Sequence, residues 1–398
     1  MGGKKRANGE GSIFKRPNGT WTGQITIGTD PETGKLKRMS FSGKTRKEVK
    51  DKMTAAMADM QRGTFVEPND LTIEQWLNMW LYDYMKPHLR PSTWSSYEMI
   101  IRLYITPRIG TIFLKNLQPE QLQLFYNDLL ESGRADGKGG LSNKTVREVH
   151  SVIHGALKQA VKNNLVIRNA AEATAPPRKI KHEMQTIDAD QVVQFLNCAR
   201  NDRLYAAFLL EFNTGIRRGE LLGLQWKDVD LETGTISICR SLVRIYNKGK
   251  TELSFQEPKT AAAKRTLPIT AEVVAALKNH KKQQIEERLA FGSEYEDNDL
   301  VFCSPKGTPL DPRSFTRHFD TLLNKAGLPH IRFHDARHTV ATLLLEQNEH
   351  PRVVQELLGH SDISTTLGTY SHVSSDLKRK AAEKLSAVLA QNKQKTGQ

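Results

Sequence analysis

Cysteine is scarce in this chain: Cys198, Cys239 and Cys303 are the only three in 398 residues, far apart and with no C-x-x-C pair. That spacing excludes a disulfide framework and a thiolate zinc knuckle. Long apolar runs are missing as well. The longest, YAAFLLEF at 205–212, is interrupted by glutamate and falls well short of the ~18 residues a membrane-spanning helix needs. The opening residues, MGGKKRANGEG, are basic but no apolar segment follows them; no secretory signal is expected, and the protein is assigned to the cytoplasm. No internal repeat is visible. A Walker A loop is also absent, because RADGKGG lacks both the glycine spacing and the hydroxyl residue after lysine, so ATP-driven chemistry has no support.

What the chain does have is positive charge. Lys+Arg number 58 against 44 Asp+Glu, a net +14, with ordinary hydrophobic (38%) and charged (26%) contents for a folded protein. The surplus is concentrated: residues 1–64 carry 14 basic and 6 acidic side chains. A local positive field of this kind favours polyanions, nucleic acid before anionic membrane.

The hydrophobic pattern changes period along the chain. Residues 12–43 show short β-rich runs around Asn18-Gly19, a strong hairpin signal, and around the turn DPETGK. A helix follows with Val49, Met53, Met57 and Met60 on one face and Gly63 at its stop. From Leu71 the period is helical. Ile73, Trp76, Leu77, Trp80 and Leu81 form one stripe, opened by a Thr72/Gln75 capping box. Ser92 is expected to cap a helix carrying Tyr97, Ile100, Ile101 and Tyr104. Pro119 opens another with Leu122, Phe125 and Leu129, and Ser142 caps a fourth with Val146, Val149, Ile153 and Leu157. These aromatic residues read as core. The segment 173–184, with two prolines followed by basic residues, reads as an extended linker. Beyond it come helices near 190–199 and 204–213, an antiparallel sheet containing TISICRSLVRIY and KRTLPI, and further helices. The fold class is therefore multidomain α+β: a three-stranded sheet plus helix (1–64), a four-helix domain (65–172), the linker (173–184), and a mixed, mainly α domain with a small antiparallel sheet (185–398).

Polar residues that packing does not explain cluster in the last region. Arg217 and Glu220 sit at a helix start, Lys259 near a hairpin turn, and His334 and Arg337 one helical turn apart. The stretch LLGHSDISTTLGTYSH ends the series with His360 and Tyr370. Together they suit attack on a phosphodiester. Two arginines can hold the equatorial oxygens of a pentacoordinate phosphate by charge-assisted bonds. A lysine can protonate the departing 5′-oxygen. A tyrosine, with an ordinary pKa of about 10, needs nearby positive charge and a proton acceptor to attack; the histidines can accept that proton or donate to the phosphate. A phosphotyrosine ester conserves the energy of the broken bond, so rejoining needs no ATP.

Arg217 in T-G-x-R-x-x-E-L, Lys259 in P-K-T, His334 and Arg337 in H-x-x-R, His360 in L-G-H, and Tyr370 in T-x-x-T-Y-S-H resemble, in order and spacing, the motifs of the tyrosine recombinase (phage integrase) family. The resemblance is strongest in the C-terminal half and weakest before residue 65. It implies a catalytic domain at 185–398, with Tyr370 as nucleophile forming a 3′-phosphotyrosine and Arg217, Lys259, His334, Arg337 and His360 around the phosphate. It also implies a core-binding domain at 65–172 that closes over DNA, and an arm-binding domain at 1–64 similar to those of integrases from phages and conjugative transposons of Gram-positive bacteria. Arg16, Trp21 and Lys37 are candidate contacts to arm DNA. The implied partners are double-stranded DNA with core and arm sites, further copies of the chain (a tetramer on DNA), a directionality factor and a DNA-bending protein. No cofactor, metal or membrane is implied, and the setting is a bacterial host cell integrating and excising a mobile element.

Several assignments keep alternatives. Lys264 competes with Lys259, Arg218 is expected at the surface or on DNA, and His338 and His372 are expected to be structural. Glu220 is expected to orient Arg217. The helix after Tyr370, with Leu377, Ala381, Leu385 and Leu389 on one face, is expected to dock on a neighbouring subunit. A zinc hydrolase built on His334 and His338 lacks the glutamate such sites require. A non-catalytic DNA-binding regulator would not need all six residues at this spacing, and a type IB topoisomerase would share the chemistry but not strand exchange.

Overall fold

The computed structural model describes residues 11–29, 34–62, 70–180, 184–247, 250–257 and 264–359, together with Glu383 and Ser386. The chain divides into two compact units, the first ending at Ile180.

The first unit opens with an antiparallel sheet of order β1 (Ser12–Lys15), β2 (Trp21–Thr29) and β3 (Leu36–Gly43). The Asn18-Gly19 hairpin is present: Gly19 takes a φ of 82°, and the Asn18 carboxamide oxygen accepts from the Thr20 amide and hydroxyl. Helix α1 (Arg46–Gln61) is capped by Thr45, whose side chain accepts from the Glu48 amide. Val49 and Met53 are buried against Ile25, with Met57 and Met60 at the edge of the cluster, which is the expected face. The expected stop, Gly63, lies outside the described residues; the helix reaches its C-cap at Arg62.

The helical part of this unit begins at α2 (Ile73–Met79), with the Thr72/Gln75 capping box in place. The helix continues as a wider π turn over Trp80–Met85. Helix α3 (Pro91–Ile100) starts two residues earlier than expected. Arg90 is its N-cap and Pro91 its first residue, so Ser92 lies inside the first turn; proline, with φ preset and no amide to satisfy, outcompetes the hydroxyl as a start signal. A second π turn, Ile101–Ile105, leads into α4 (Thr106–Ile109), where Pro107 removes one backbone donor. Helices α5 (Pro119–Ser132) and α6 (Asn143–Lys162) complete the domain, the latter capped by Ser142. Trp76, Trp80 and Trp94 are buried, and the Trp76 indole donates to the Ala156 carbonyl at 3.0 Å. The tryptophans are core, as expected. Past a short 3-10 turn at Ala170–Ala173 the chain is extended. It is also fastened: the Ala175 amide donates to Gln123 (2.9 Å), Arg147 to the Pro177 carbonyl (3.0 Å) and Asn143 to the Arg178 carbonyl (3.1 Å).

The second unit packs α7 (Ala189–Cys198), α8 (Tyr205–Thr214), α9 (Arg218–Leu222), α10 (Ala271–Phe291), α11 (Pro312–Lys325), α12 (Phe333–Glu346) and α13 (Pro351–Leu358). Phe195, Phe208, Phe319 and Phe333 meet ring against ring in its core. The expected single sheet is two. Strands β4 (Val229–Asp230), β5 (Thr235–Ile238) and β8 (Arg265–Pro268) form one, while β6 (Ser241–Asn247) and β7 (Lys250–Gln256) form a separate hairpin. The run TISICRSLVRIY breaks at Cys239–Arg240, where Arg240 forms an ion pair with Asp228 and the next strand pairs elsewhere.

Candidate active site

The second unit gathers three guanidinium groups at one place, and each arrives from a different element. Arg217 is the N-cap of α9, Arg265 opens β8, and Arg337 lies one turn into α12. Helix α8 ends at Gly215, which is left-handed (φ 60°) and turns the chain toward Arg217; a side chain there would run into Leu358. Two residues later Arg217 starts α9, and Glu220 closes a capping box by accepting from the Arg217 amide at 3.2 Å.

Glu220 is the hub. One of its oxygens accepts from Arg217 Nη1 at 2.8 Å and the other from Arg265 Nη2 at 3.0 Å. Burial alone would raise its carboxyl, but Arg265 and then Arg217 outweigh burial and hold it below the ordinary range. The expectation that Glu220 orients Arg217 matches this geometry. Because the folded carboxyl is the stronger acid, its contribution to stability is present above the ordinary carboxylate pKa of about 4.3 and is lost as pH falls through the lowered value. Glu220→Ala would leave two guanidiniums without their shared counter-charge, and removing one partner of a buried pair typically costs about 3–5 kcal/mol. Chemical unfolding should show a loss of that size, and Glu220→Gln should flatten the acid limb of stability against pH. A loss below about 1 kcal/mol, the range of an exposed pair, would mean that the hub is not a stabilising centre.

The three arginines also share a second target. Arg265 Nε donates to the Leu357 carbonyl at 3.1 Å, Arg337 Nη2 to the Leu358 carbonyl, and Arg217 Nη2 to the Gly359 carbonyl at 2.8 Å. Three consecutive carbonyls at the C-terminal end of α13, where a helix leaves its carbonyls unsatisfied and partially negative, thus receive three cations. Arg337 additionally donates to the Gly215 carbonyl at 2.6 Å and is 1% exposed. Burial, reinforced by Arg217 and Arg265, lowers its guanidinium to about 9. Beneath it lies Glu211, 1% exposed, with neither carboxyl oxygen hydrogen-bonded. Burial raises the Glu211 carboxyl well above its ordinary range, in spite of Arg337. Three guanidiniums outnumber the two carboxyls, Glu220 and Glu211, and leave a positive excess that suits the cluster to an anion.

His334, in the first turn of α12, reaches solvent, while His338 one turn on is buried and meets its ring at 5.1 Å. The surrounding protein first, then His338 and Arg337, push the His334 imidazole down to about 4, so it is neutral at physiological pH and able to accept a proton. Asp335 caps α12 by accepting from the Arg332 amide and guanidinium, and Thr339 reaches back to the Asp335 carbonyl. Arg218 is exposed and donates to Thr316. Lys264 pairs with Glu257 at 3.2 Å. Lys259, His360, Tyr370, His372 and the helix after Tyr370 with its apolar face lie outside the described residues, Glu383 and Ser386 apart. Among the described residues no group of three or more His, Cys, Asp or Glu could hold a metal ion.

Arg265 was missed in the sequence, where Lys259 and Lys264 drew attention as candidate acids. The available signal was strand alternation: Arg265 shares a face with buried Leu267. At the N-terminal sheet, Arg16 is exposed in the hairpin turn and Lys37 is exposed beside a β-bulge at Thr26/Gly28. Trp21 lies on the helix side of this sheet, partly exposed. It alternates in step with Gly23 and Ile25 and packs into the cluster under α1, so its ring belongs to the helix-covered face. The opposite face carries Phe14, Gln24, Arg38 and Ser40, with Gln24 donating to Ser40 at 3.2 Å.

Comparison with known proteins places this geometry. The phage integrase family matches residues 185–376, and its N-terminal SAM-like domain matches residues 72–130. A tyrosine recombinase XerC-like protein of Caldanaerobacter subterraneus subsp. tengcongensis is 33% identical over 376 residues, covering 91% of this chain and 94% of the relative. The ICEBs1 integrase of Bacillus subtilis is 24% identical, covering 95% of this chain and all of the relative. Among solved structures, the Tn1549 transposon integrase in complex with transposon right end DNA shares the fold at a TM-score of 0.65 and 23% identity, covering 79% of this chain and 100% of that one. A lambda integrase tetramer bound to a Holliday junction gives 0.56 and 18%, covering 92% and 96%. No described helix is long and apolar enough to cross a membrane. The chain belongs to the tyrosine recombinase (phage integrase) family, enzymes that break and rejoin DNA in site-specific recombination.

Proposed function

We propose that this protein integrates and excises a mobile element by cutting DNA through a 3′-phosphotyrosine at Tyr370. The observation that carries the reading is the convergence of Arg217 and Arg337 on the carbonyls of Leu358 and Gly359, immediately before His360 in a segment that leads to Tyr370. A phosphodiester carries one negative charge and gains another as it becomes pentacoordinate. An anion site with a positive excess stabilises the second state more than the first, which is what lowers a barrier. In this reading Arg217 and Arg337 hold the equatorial oxygens, Lys259 protonates the 5′-oxygen, and His334 and His360 accept or donate protons at the tyrosine and phosphate. Glu220 fixes Arg217. The names of relatives support the mobile-element setting: they include the ICEBs1 integrase, an integrase of a Staphylococcus phage and a transposon integrase.

The domain reading follows. Residues 1–64 hold arm DNA, 65–172 close over core DNA, 173–184 link, and 185–398 cut and rejoin. The acting form is a tetramer on double-stranded DNA in the bacterial cytoplasm, assisted by a directionality factor and a bending protein. The lambda integrase tetramer on a Holliday junction supports the assembly by likeness of fold. Recombination of two plasmid-borne attachment sites, cloned from the element's sequenced junctions, tests it. The reading expects exchange in EDTA and without ATP, and loss of exchange under those conditions would remove it.

Removing residues 1–64 should leave cleavage of a short core site intact, because every catalytic candidate lies beyond residue 200. It should sharply reduce recombination of full attachment sites, where tethering raises effective concentration. The slope of log affinity against log salt on full sites should flatten by about 0.9 for each phosphate that the truncated protein no longer neutralises. Normal recombination of full sites by the truncated protein would assign the N-terminal module another role.

A further inference from the structure

We propose that Arg265 is a positioning residue for strand cleavage: it locks the end of α13 to Glu220 and so sets the segment that begins at His360 in register with Arg217. The proposal rests on the reading above and adds to it a residue outside the six assigned to the reaction. Arg265 bridges Glu220 to the last turn of α13, inside the link that Arg217 makes from Glu220 to Gly359. Nη2 donates to Glu220, whose other oxygen holds Arg217, and Nε donates to the Leu357 carbonyl in the last turn of α13. One guanidinium therefore fixes Arg217 through Glu220 and the helix end through Leu357. Its side chain is 8% exposed, against 36% for Arg217.

A second observation is independent of these bonds. Gly359 ends α13 in the left-handed conformation, φ 64°, and a Cβ there would stand 3.1 Å from Arg265 Cδ, Nε and Nη1. The backbone that turns the chain into His360 is thus moulded against the Arg265 side chain, and glycine alone meets both the φ and the approach. The arrangement also differs in kind from that of its neighbours. The bonds of Arg217 and Arg337 to Gly359 and Leu358 compete with a phosphate for the same guanidinium nitrogens. Arg265 is outside that pair in the proposal, and its bond to Leu357 holds the helix end while the other two exchange carbonyl for DNA.

The test uses the full chain on a nicked suicide substrate carrying a core site. It reads single-turnover cleavage at saturating protein, DNA affinity and thermal stability, for Arg265→Lys and for Gly359→Ala. Lysine keeps the charge beside Glu220 but has one nitrogen for two targets; Gly359→Ala keeps the guanidinium and displaces it. The expected result for Arg265→Lys is cleavage about 10- to 100-fold slower, the scale on which a small misplacement acts, with DNA affinity unchanged and the slow rate persisting well below the melting temperature. Gly359→Ala should show the same split between rate and affinity. Parental cleavage by Arg265→Lys would overturn the proposal by showing that charge alone suffices. A fall in affinity that matches the fall in rate would overturn it in favour of a direct DNA contact. Adduct formation by the parent protein reports separately on the functional reading, which fails if the parent forms none.

Discussion

Tyr370→Phe is expected to yield no covalent protein–DNA product on a nicked suicide substrate while binding the same DNA almost as the parent does. The substitution removes one oxygen and leaves the ring and the cationic site, so what is lost is the bond-forming atom. Two other tyrosines in the second unit have other surroundings. Tyr295 approaches Cys303 with its hydroxyl at 3.8 Å, and burial, reinforced by Cys303, pushes its phenol up to about 12, which makes it harder to deprotonate for attack. Tyr205 is half-buried at the start of α8 against the core. Persistent adduct in the variant would move the nucleophile, with Tyr246 on β6 and Tyr205 the first to consider.

The second large effect is expected at the arginines. Arg217→Lys and Arg337→Lys should each slow cleavage by about 10² to 10³, the usual cost of one preorganised donor. Both side chains use two nitrogens on two targets. Arg217 spans Glu220 and the Gly359 carbonyl, and Arg337 spans the Gly215 and Leu358 carbonyls. An ammonium is a single point and cannot reproduce a planar fork. Arg337→Lys should also destabilise more, because Arg337 is buried and Arg217 is partly exposed. Rates therefore need comparison below both melting temperatures. Near-parental cleavage by both variants would remove the two-arginine clamp.

What the sequence displayed and what it concealed divide along a physical line. Local signals were legible: the Thr72/Gln75 box, the Pro119 and Ser142 helix starts, the Asn18-Gly19 turn, and the stripe Ile73, Trp76, Leu77, Trp80 and Leu81 all depend on residues a few positions apart. So did Arg217 with Glu220 and His334 with Arg337, each pair set by one helical turn. Concealed features depend on partners distant in sequence. Arg265 meets Glu220 across 45 positions and Leu357 across 92, and no spacing rule reaches that far. The division into two sheets comes at Cys239–Arg240, beside the long-range Arg240–Asp228 pair, which strand propensity does not register. The face of Trp21 follows from its parity with Ile25, which shows only once the register of the sheet is known. Ser92 yielded to Pro91 for a local reason, the stronger start signal of proline. Glu211 gave no hint of its raised carboxyl, since the burial that raises it is produced only by the fold.

The most direct measurement is to trap the covalent complex on a suicide substrate, digest the protein and identify by mass spectrometry the peptide that retains nucleotide. The account predicts a 3′-phosphonucleotide on the peptide containing Tyr370, formed in EDTA and without ATP. Nucleotide on a peptide lacking Tyr370, or cleavage with no retained nucleotide, would contradict it.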